Sequence, residues 1–210
     1  DMFKRIENNI DFAENEDKIS NYWNDIDAFQ KSLDIRKESK IFRFYDGPPF
    51  PTGSPHYGNL LAGVIKDIVP RYWTMRGYFV ERRFGWDVHG LPIEMEVQKE
   101  LGLEDPQDID DYGIDKFNEA CRSQVQTNTE NWEKITRKIG RWVDFENDYK
   151  TMDVGFMESV WWVFKELFDK NLIYKDYKVL PYSWAASTPL SNFEANMDYR
   201  DVEDPSIFFK

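Results

Sequence analysis

The sequence predicts an α/β fold, because two short apolar segments flank a helical pattern in the first half of the chain. IFRFYD (41–46) is aromatic and β-branched and predicts a buried strand, and YFVERRFGWD (78–87) predicts a second one. A strand, a helix and a strand within about 45 residues form a βαβ unit, whose strands are parallel neighbours and whose crossover is right-handed. We therefore expect a Rossmann-like parallel sheet with added helices.

The chain before the first strand predicts one amphipathic helix. In EDKISNYWNDIDAFQKSL, apolar side chains recur at three- and four-residue steps and share one face: Ile19, Tyr22, Trp23, Ile26 and Phe29. We assign residues 1–40 to an amino-terminal helical segment and residues 41–150 to a Rossmann-like half-domain.

The helix between the two strands follows a loop rich in proline and glycine, GPPFPTGSP. Ser54 is the expected N-cap and Pro55 the expected first helical residue. Pro70 predicts a kink or looser last turns, and Gly77 is expected to end the helix as a C′ residue. The apolar stripe that predicts this helix consists of Leu61, Val64, Ile65, Ile68 and Tyr72.

Further helices follow the second strand. LPIEMEVQKELG (91–102) predicts a helix that ends at Gly102, and LEDPQDIDDYG predicts an acidic linker. A long helix then runs to Ile139 and is terminated by Gly140. VGFMESVWWVFKELFDKNLI predicts an aromatic helix whose interior residues are Phe156, Val160, Trp161, Phe164, Leu167 and Phe168.

Short β-like runs and turns follow the aromatic helix. The closing SIFFK predicts a strand that enters a further domain. We therefore expect residues 151–210 to hold a helix and the base of an inserted region that is truncated here.

Composition limits the class of protein. The chain has 210 residues, 41% of them hydrophobic, which is enough for one core or for a core with an added lobe. Its formal net charge of −12 argues against a self-sufficient nucleic-acid-binding domain, because phosphate contacts need clustered Lys and Arg. The single Cys121 excludes an intramolecular disulfide and a cysteine metal cluster. No apolar run approaches the roughly 18 residues of a membrane span, and we expect a reducing compartment.

The loop and helix start after the first strand predict an anion site. Ligands of open parallel sheets bind beyond the carboxyl ends of the strands, and the free N–H groups of a first helical turn favour a polyphosphate. Gly47, Gly53 and Gly58 allow close backbone approach, and His56 can donate to a phosphate oxygen. The same features also describe an ordinary capped helix. The segment matches neither the P-loop nor the dinucleotide pattern.

The second strand ends in a similar loop, FGWDVHGLPIE. The sequence has two histidines, His56 and His89, and each follows one of the predicted strands. We expect the two loops to lie side by side, with Asp87 placed to pair with a ligand ammonium. The alternative is that Asp87 and His89 cap the next helix.

Together these loops resemble class I aminoacyl-tRNA synthetases, and within them the isoleucyl subgroup. FYDGPPFPTGSPHYGNLLAGVIKDIVPRY is similar to the family's first ATP-binding segment, whose usual motif is His-x-Gly-His. RRFGWDVHGLPIE is similar to the isoleucyl Gly-Trp-Asp-x-His-Gly-Leu-Pro-x-Glu. The similarity continues through GRWVDFENDYKTMD and LPYSWAASTPLSNFEANMDYRDVEDPSI, and the latter resembles the base of the connective region that leads to an editing domain. The resemblance implies the amino-terminal half of a nucleotide-binding fold.

The resemblance also implies a reaction and a set of site residues. The implied activity is ATP-dependent activation of isoleucine, with ATP carrying Mg²⁺, and transfer of isoleucine to tRNA. In it, His56 stabilises phosphate charge and Asp87 holds the substrate α-ammonium. The implied catalytic residues are His56 and Asn59, the ATP-binding residues are Thr52, Gly53, His56, Gly58 and Asn59, and the amino-acid-binding residues are Gly47, Pro48, Asp87 and His89. No residue is assigned to a protein-bound metal.

Two departures limit the resemblance. Asn59 stands where the family has a second histidine, and an amide donates a hydrogen bond but cannot become a cation. The family's Lys-Met-Ser-Lys-Ser loop is absent, so the isolated chain is expected to be inactive and to contact tRNA mostly through parts that are not present.

A cytoplasmic protein without a membrane partner is expected. The alternatives are a non-catalytic paralogue that serves as a binding or interaction module, and a different small nucleotidyltransferase.

Overall fold

The computed structural model describes residues 10–184, 187–196, 201, 203 and 205–208. These residues group into two units, with the boundary between Trp162 and Val163. The first unit holds α1 (Phe12–Asp25), α2 (Ala28–Asp34), α3 (Tyr57–Met75), β1 (Arg83–Trp86), α4 (Leu91–Leu101), α5 (Pro106–Tyr112), α6 (Ile114–Lys138), β2 (Asp144–Lys150) and the start of α7 (Val154–Asp169). The second unit holds the end of α7, β3 (Tyr182–Ser183), β4 (Thr188–Pro189) and α8 (Asn192–Ala195).

The sheet of the first unit is parallel, as predicted. β1 and β2 pair in parallel with Gly85 opposite Tyr149, and Ile41 forms a parallel bridge with Phe79. A Cβ on Gly85 would lie 2.2 Å from the Tyr149 ring, so this register requires glycine. Sequence patterning misses β2, because DFENDYK is mostly polar and lacks a clear apolar alternation.

The 41–46 segment is not the buried strand that its composition predicts. Its ladder is limited to the bridge at Ile41, where Phe42 N donates to the Phe79 carbonyl at 2.9 Å. Ile41 and Tyr45 are exposed, whereas Asp46 is buried. The segment is therefore fixed at its end by a charged side chain rather than along its length by apolar packing.

The amino-terminal segment forms α1 and α2 rather than the single helix predicted. The helices are separated at Asp27, whose φ of 49° lies in the left-handed region that Asp tolerates better than most residues. This turn lets Trp23 and Phe29 approach the same Trp142 ring, at centroid distances of 5.3 and 6.2 Å. The Arg71 guanidinium of α3 lies 4.2 Å from the Trp142 centroid, so aromatic and cation–π contacts hold the amino-terminal helices in place.

α3 ends as predicted and continues beyond Pro70. Gly77 has a φ of +88° and donates to the Thr74 carbonyl, while Tyr78 N donates to the Trp73 carbonyl, which is the Schellman pattern. The turns after Pro70 keep their helical conformation. The local chemistry of the last turn therefore decides where this helix stops.

The two long sides of α3 differ in burial. The buried side carries Pro70 and Thr74, and Thr74 Oγ1 lies 2.6 Å from the Arg82 guanidinium that donates to it. Burial lowers the pKa of Arg82 to about 10, so the group stays charged at neutral pH and needs such a partner. The apolar stripe that predicts the helix lies on the exposed side: Leu61, Val64, Ile65, Ile68 and Tyr72.

α4 and α6 bury the core of the first unit against the sheet. α4 ends at Gly102 and α6 ends before Gly140, and both glycines have positive φ, as predicted. The predicted acidic linker is instead α5, because Asp105 and Asp108 cap its start. The buried core cluster consists of Phe84, Trp86, Val88, Ile93, Val125, Trp132, Val143 and Phe145.

α7 is helical as predicted, but most of the face predicted to be interior is exposed. Phe156 stacks on Tyr149 at a centroid distance of 5.7 Å. The exposed members are Val160, Trp161, Phe164, Leu167 and Phe168. The prediction is wrong because periodicity identifies residues that share a face but not whether another element covers it. Within the described part of the chain, no helix combines the length and apolar character needed to cross a membrane.

The second unit contains short β runs, as the sequence predicts. β3 and β4 pair antiparallel, with Tyr182 opposite Pro189. The final strand predicted from SIFFK is not formed at positions 206–208, and positions 209–210 lie outside the described residues. A short apolar run has β propensity but needs a pairing strand to become regular.

Removing the Arg71 side chain tests how the amino-terminal helices are held. Arg71 also donates to the Gly140 carbonyl at 2.6 Å, so Arg71→Ala removes this bond together with the contact to Trp142. We expect the free energy of unfolding in urea to fall by about 2 kcal/mol and amide exchange in α1 to accelerate. The exposed Arg76 at the end of α3 is the control. Equal effects of Arg71→Ala and Arg76→Ala would contradict this interpretation.

Candidate active site

α3 begins at Tyr57, and its N-cap is His56 rather than Ser54. His56 Nδ1 accepts a hydrogen bond from Gly58 N at 3.1 Å, and Asn59 Oδ1 accepts one from His56 N at 3.0 Å. The prediction of Ser54 is wrong because this reciprocal pair caps the helix further along the chain. The two residues predicted to be catalytic therefore also define the start of the helix.

The cap also fixes the state of the His56 ring. Because Nδ1 accepts from Gly58 N, the neutral imidazole carries its proton on Nε2. The residue is exposed, so Nε2–H is available to an anion at the helix start. A Cβ on Gly58 would lie 2.9 Å from His56 Cε1, so glycine is needed here to admit the neighbouring ring.

The loop before α3 is tied to two helices. Trp132 Nε1 of α6 donates to the Gly53 carbonyl at 2.8 Å. Lys66 Nζ of α3 donates to the Gly47 carbonyl at 2.6 Å. The predicted site residues of this loop are exposed or half-buried: Gly47, Pro48, Thr52 and Gly53. The two hydrogen bonds hold the backbone that carries these residues near both ends of the loop.

Asp46, the residue before this loop, is buried between two cations. Its side chain has 0% exposure and pairs with the Arg141 guanidinium through Oδ2. Lys66 Nζ lies 2.6 Å from Oδ1 as an ion pair that lacks hydrogen-bond geometry. Tyr149 OH donates to the Asp46 carbonyl at 3.2 Å, and burial and the Asp46 carboxylate raise the pKa of Tyr149. These ion pairs and the hydrogen bond from Tyr149 therefore fix the backbone at Asp46, where the loop begins.

The loop after β1 lies against the first loop. Asp87 N donates to the Pro49 carbonyl at 2.9 Å, which confirms that the two predicted loops are neighbours. Asp87 is half-buried and His89 is exposed. The N-cap of α4 is Gly90, without a side-chain hydrogen bond, so the alternative in which Asp87 and His89 cap this helix is wrong.

Thr151 joins the polar residues of the second loop, and sequence reasoning missed it. Its Oγ1 lies 3.0 Å from Val88 N, 2.9 Å from His89 Nδ1 and 3.4 Å from Asp87 Oδ1. Thr151 is 64 positions from Asp87 and belongs to no local motif. The sequence offered no signal for it, because the strand that it follows, β2, is mostly polar and is itself missed by sequence patterning.

Three cavities lie beside these loops. One of about 180 Å³ is lined by Asn59 and Lys66 and is smaller than the roughly 300 Å³ at which ligand pockets begin. A cleft of about 660 Å³ is lined by Asp46, Tyr149 and Phe156 but by none of the predicted site residues. A third cavity of about 320 Å³ is lined by Val88, His89 and Gly90, so a predicted site residue of the second loop borders a cavity of ligand size.

The structure places the predicted residues in two groups. One group is at the start of α3 and includes His56 and Asn59, and the other follows β1 and includes Asp87 and His89. Among the described residues, no hydrogen bond or ion pair joins a side chain of one group to a side chain of the other. The backbone bond from Asp87 to Pro49 connects them.

The fold and the two loops are those of a class I tRNA synthetase domain. The family model of tRNA synthetases class I (I, L, M and V) matches residues 18–208, and the chain belongs to this family. The resemblance of the two loop motifs to class I synthetases is thereby confirmed.

The chain is similar to several curated isoleucine–tRNA ligases. The cytoplasmic enzyme of Mus musculus is 52% identical over 207 residues, which are 99% of this chain and 16% of that protein. The cytoplasmic enzyme of Saccharomyces cerevisiae is 53% identical over 93% of this chain and 18% of its own length. The enzyme of Treponema denticola is 53% identical over 98% of this chain and 19% of its own length. The chain thus spans less than a fifth of these relatives.

A solved structure shares the fold. The ternary complex of Agrobacterium radiobacter K84 agnB2 LeuRS with tRNA and LeuAMS matches with a TM-score of 0.62. The identity is 19%, and the match covers 88% of this chain and 21% of that chain. At this identity the match shows the fold alone, and it confirms the α/β prediction.

Two glycine substitutions in α3 should have opposite effects on stability. In Gly58→Ala the new Cβ displaces the His56 ring, so the free energy of unfolding should fall by about 1 kcal/mol, as expected for a lost N-cap. In Gly63→Ala the new Cβ meets Ile139 Cδ1 at 3.5 Å, an ordinary contact. That change should stabilise the helix by about 0.5–1 kcal/mol. Stabilisation by both substitutions in urea unfolding would contradict the cap.

Proposed function

We propose that this chain is the amino-terminal part of an isoleucine–tRNA ligase, which activates isoleucine with ATP and transfers it to tRNA. The observation that carries the proposal is the backbone bond between Asp87 and Pro49, which makes the amino-acid loop and the nucleotide loop neighbours. Relatives at 52–53% identity bear this name. Because the chain spans 16–19% of their length, the complete reaction belongs to a longer protein.

The proposed reaction depends on positioning and charge stabilisation rather than on a covalent protein nucleophile. The isoleucine carboxylate attacks the α-phosphorus of ATP, which gives isoleucyl-adenylate and releases pyrophosphate. A terminal ribose hydroxyl of tRNA then attacks the acyl carbon and releases AMP. Negative charge moves onto phosphate oxygens in the first step, which is where fixed N–H donors act.

His56 is the donor that we assign to the phosphates. Its Nε2–H is free because Nδ1 is bound to Gly58 N, and the start of α3 adds a positive field. Thr52 and Gly53 lie in the exposed loop before it. The Asn59 Oδ1 already accepts a hydrogen bond from His56 N, so the amide NH₂ is the group with which Asn59 can contact a ligand. An amide stays neutral, so Asn59 supplies less charge than a protonated histidine would.

Asp87 is the residue that we assign to the substrate α-ammonium. It is half-buried, and an ion pair there is stronger than one in bulk water. Gly47 and Pro48 form the neighbouring wall, whose backbone Lys66 holds through the Gly47 carbonyl. His89 lies beside Asp87 at the exposed edge of the same loop.

The remaining partners follow from the same proposal. ATP brings Mg²⁺ on its phosphate oxygens, as is usual for nucleotide sites. The described residues contain no group of three or more His, Cys, Asp or Glu side chains that could hold a metal ion.

We place most tRNA contacts outside this chain. We assign residues 1–40 to a helical segment, 41–150 to the catalytic half-domain and 151–210 to the base of the connective region. A cytoplasmic location is proposed from the names of the mouse and yeast relatives.

The reciprocal cap also supports a second candidate function. His56 Nδ1 and Asn59 Oδ1 satisfy helix-start donors without a ligand. A non-catalytic paralogue that serves as a binding or interaction module would keep this cap for stability alone. In that case the fold would persist and amino-acid activation would be absent.

ATP–pyrophosphate exchange separates the two candidates. The assay uses the full-length form, meaning this chain continued to the length of its curated relatives. We expect isoleucine-dependent exchange, and Asp87→Ala should raise the KM for isoleucine at least about tenfold because a charged contact is lost. The KM for ATP should stay within about threefold, since the ammonium contact does not involve the nucleotide.

The control for this assay is Asp25→Ala, which removes an exposed carboxylate at the end of α1. It should leave both KM values unchanged. Absence of exchange with any aliphatic amino acid would overturn the ligase and favour the paralogue. Unchanged kinetics of Asp87→Ala in an active protein would remove Asp87 from the amino-acid site.

A further inference from the structure

Thr151 lies at the carboxyl end of β2, beside the end of β1. Its N–H donates to the Trp86 carbonyl at 3.0 Å, which extends the parallel pairing by one residue beyond β2. Thr151 is 7% exposed. Its backbone is therefore fixed by the sheet, and its hydroxyl lies under the loop that begins at Asp87.

The Thr151 hydroxyl makes three contacts and has one proton to donate. Val88 N–H can only donate to it, and the ionised Asp87 carboxylate can only accept from it. The contact with His89 Nδ1 at 2.9 Å can run in either direction. All three contacts form together if His89 Nδ1 carries the proton and donates to Oγ1, which leaves the hydroxyl proton for Asp87 Oδ1.

We propose that Thr151 is a positioning residue for amino-acid binding, which orients the Asp87 carboxylate and the His89 ring from beneath. This inference rests on the proposed function, in which Asp87 pairs with the substrate ammonium. The hydroxyl engages Oδ1 at 3.4 Å, while Oδ2 has no hydrogen-bond partner among the described residues. A carboxylate held through one oxygen presents the other to a ligand cation, and pre-orientation lowers the entropy cost of that contact.

The same arrangement gives the two histidines opposite tautomers. His56 Nδ1 accepts from Gly58 N, so His56 carries its proton on Nε2. His89 Nδ1 donates to Thr151, so His89 carries its proton on Nδ1 and presents Nε2 as an acceptor at the exposed edge. The chain contains no other histidine, so the two rings can be distinguished in one spectrum.

The kinetic test removes the hydroxyl while keeping the shape of the side chain. In the full-length form, Thr151→Val should raise the KM for isoleucine in ATP–pyrophosphate exchange about tenfold and leave the KM for ATP within about threefold. Thr151→Ser restores the hydroxyl and should return the KM for isoleucine to within about threefold of the unsubstituted protein. A role in packing alone predicts the opposite order, because Val preserves the volume and Ser does not.

The matched control is Thr129→Val, in which another buried threonine loses a hydroxyl that donates to a backbone carbonyl within α6. It should leave both KM values unchanged. An unchanged KM for isoleucine in Thr151→Val, or equal effects of Thr151→Val and Thr151→Ser, would overturn the proposal. If Asp87→Ala raises the KM for isoleucine and Thr151→Val does not, the inference on Thr151 fails and the proposed function stands. If Asp87→Ala has no effect, the proposed site itself fails.

Ring nitrogen NMR of the unsubstituted full-length form, with histidine labelled only within these 210 residues, tests the same network without any variant. This measurement matters because Thr151→Val also takes the acceptor away from Val88 N–H and could unfold the loop. A protonated Nδ1 on neutral His89 is expected. A neutral His89 with its proton on Nε2 would overturn the proposal, because the Thr151 hydroxyl would then donate its hydrogen bond to His89 Nδ1 and not to Asp87 Oδ1.

Discussion

Asp46 carries a carboxylate with 0% exposure into the space between Lys66 and Arg141. A buried charge of this kind is costly on its own and is tolerated because two cations, one from α3 and one from the segment between α6 and β2, neutralise it. Lys66 also holds the neighbouring backbone, since its Nζ donates to the Gly47 carbonyl. The loop that follows is therefore positioned by an electrostatic contact that joins three distant parts of the chain. Asp87 reaches the Pro49 carbonyl on this positioned loop.

Structural and functional interpretations of the helix start use the same two side chains but different atoms of each. His56 Nδ1 and Asn59 Oδ1 cap α3, and this use leaves the opposite sides of both groups, Nε2–H and the amide N–H, as donors. Asparagine keeps the oxygen that the cap needs, although it gives up the positive charge a histidine could carry. A capped helix and an anion site are thus compatible at His-Tyr-Gly-Asn, with Gly58 making room for the ring.

Local patterns predicted the features that depend on local chemistry. Gly77 ends α3 through bonds to its own last turn, so its role was readable from the sequence. The break at Asp27 could not be predicted locally, because it depends on a contact with the distant Trp142. The exposure of 41–46 could not be predicted either, because this segment buries the Asp46 carboxylate instead of its apolar side chains. Thr151 was missed for the same reason: its three contacts lie more than 60 positions away. Motif resemblance located Asp87 correctly in a polar loop but carried no information on what holds it.

The central claim is that the buried Asp46 carboxylate holds the first loop, and its most direct test is the free energy of unfolding of Asp46→Asn in urea. The substitution keeps the side-chain shape but leaves Arg141 and Lys66 without their counter-charge. We predict a loss of about 3–5 kcal/mol, as for other broken buried ion pairs. Asp17→Asn, which removes the exposed pair with Lys138, should have a much smaller effect, because exposed ion pairs are screened by solvent. A loss below about 1 kcal/mol for Asp46→Asn would contradict the claim.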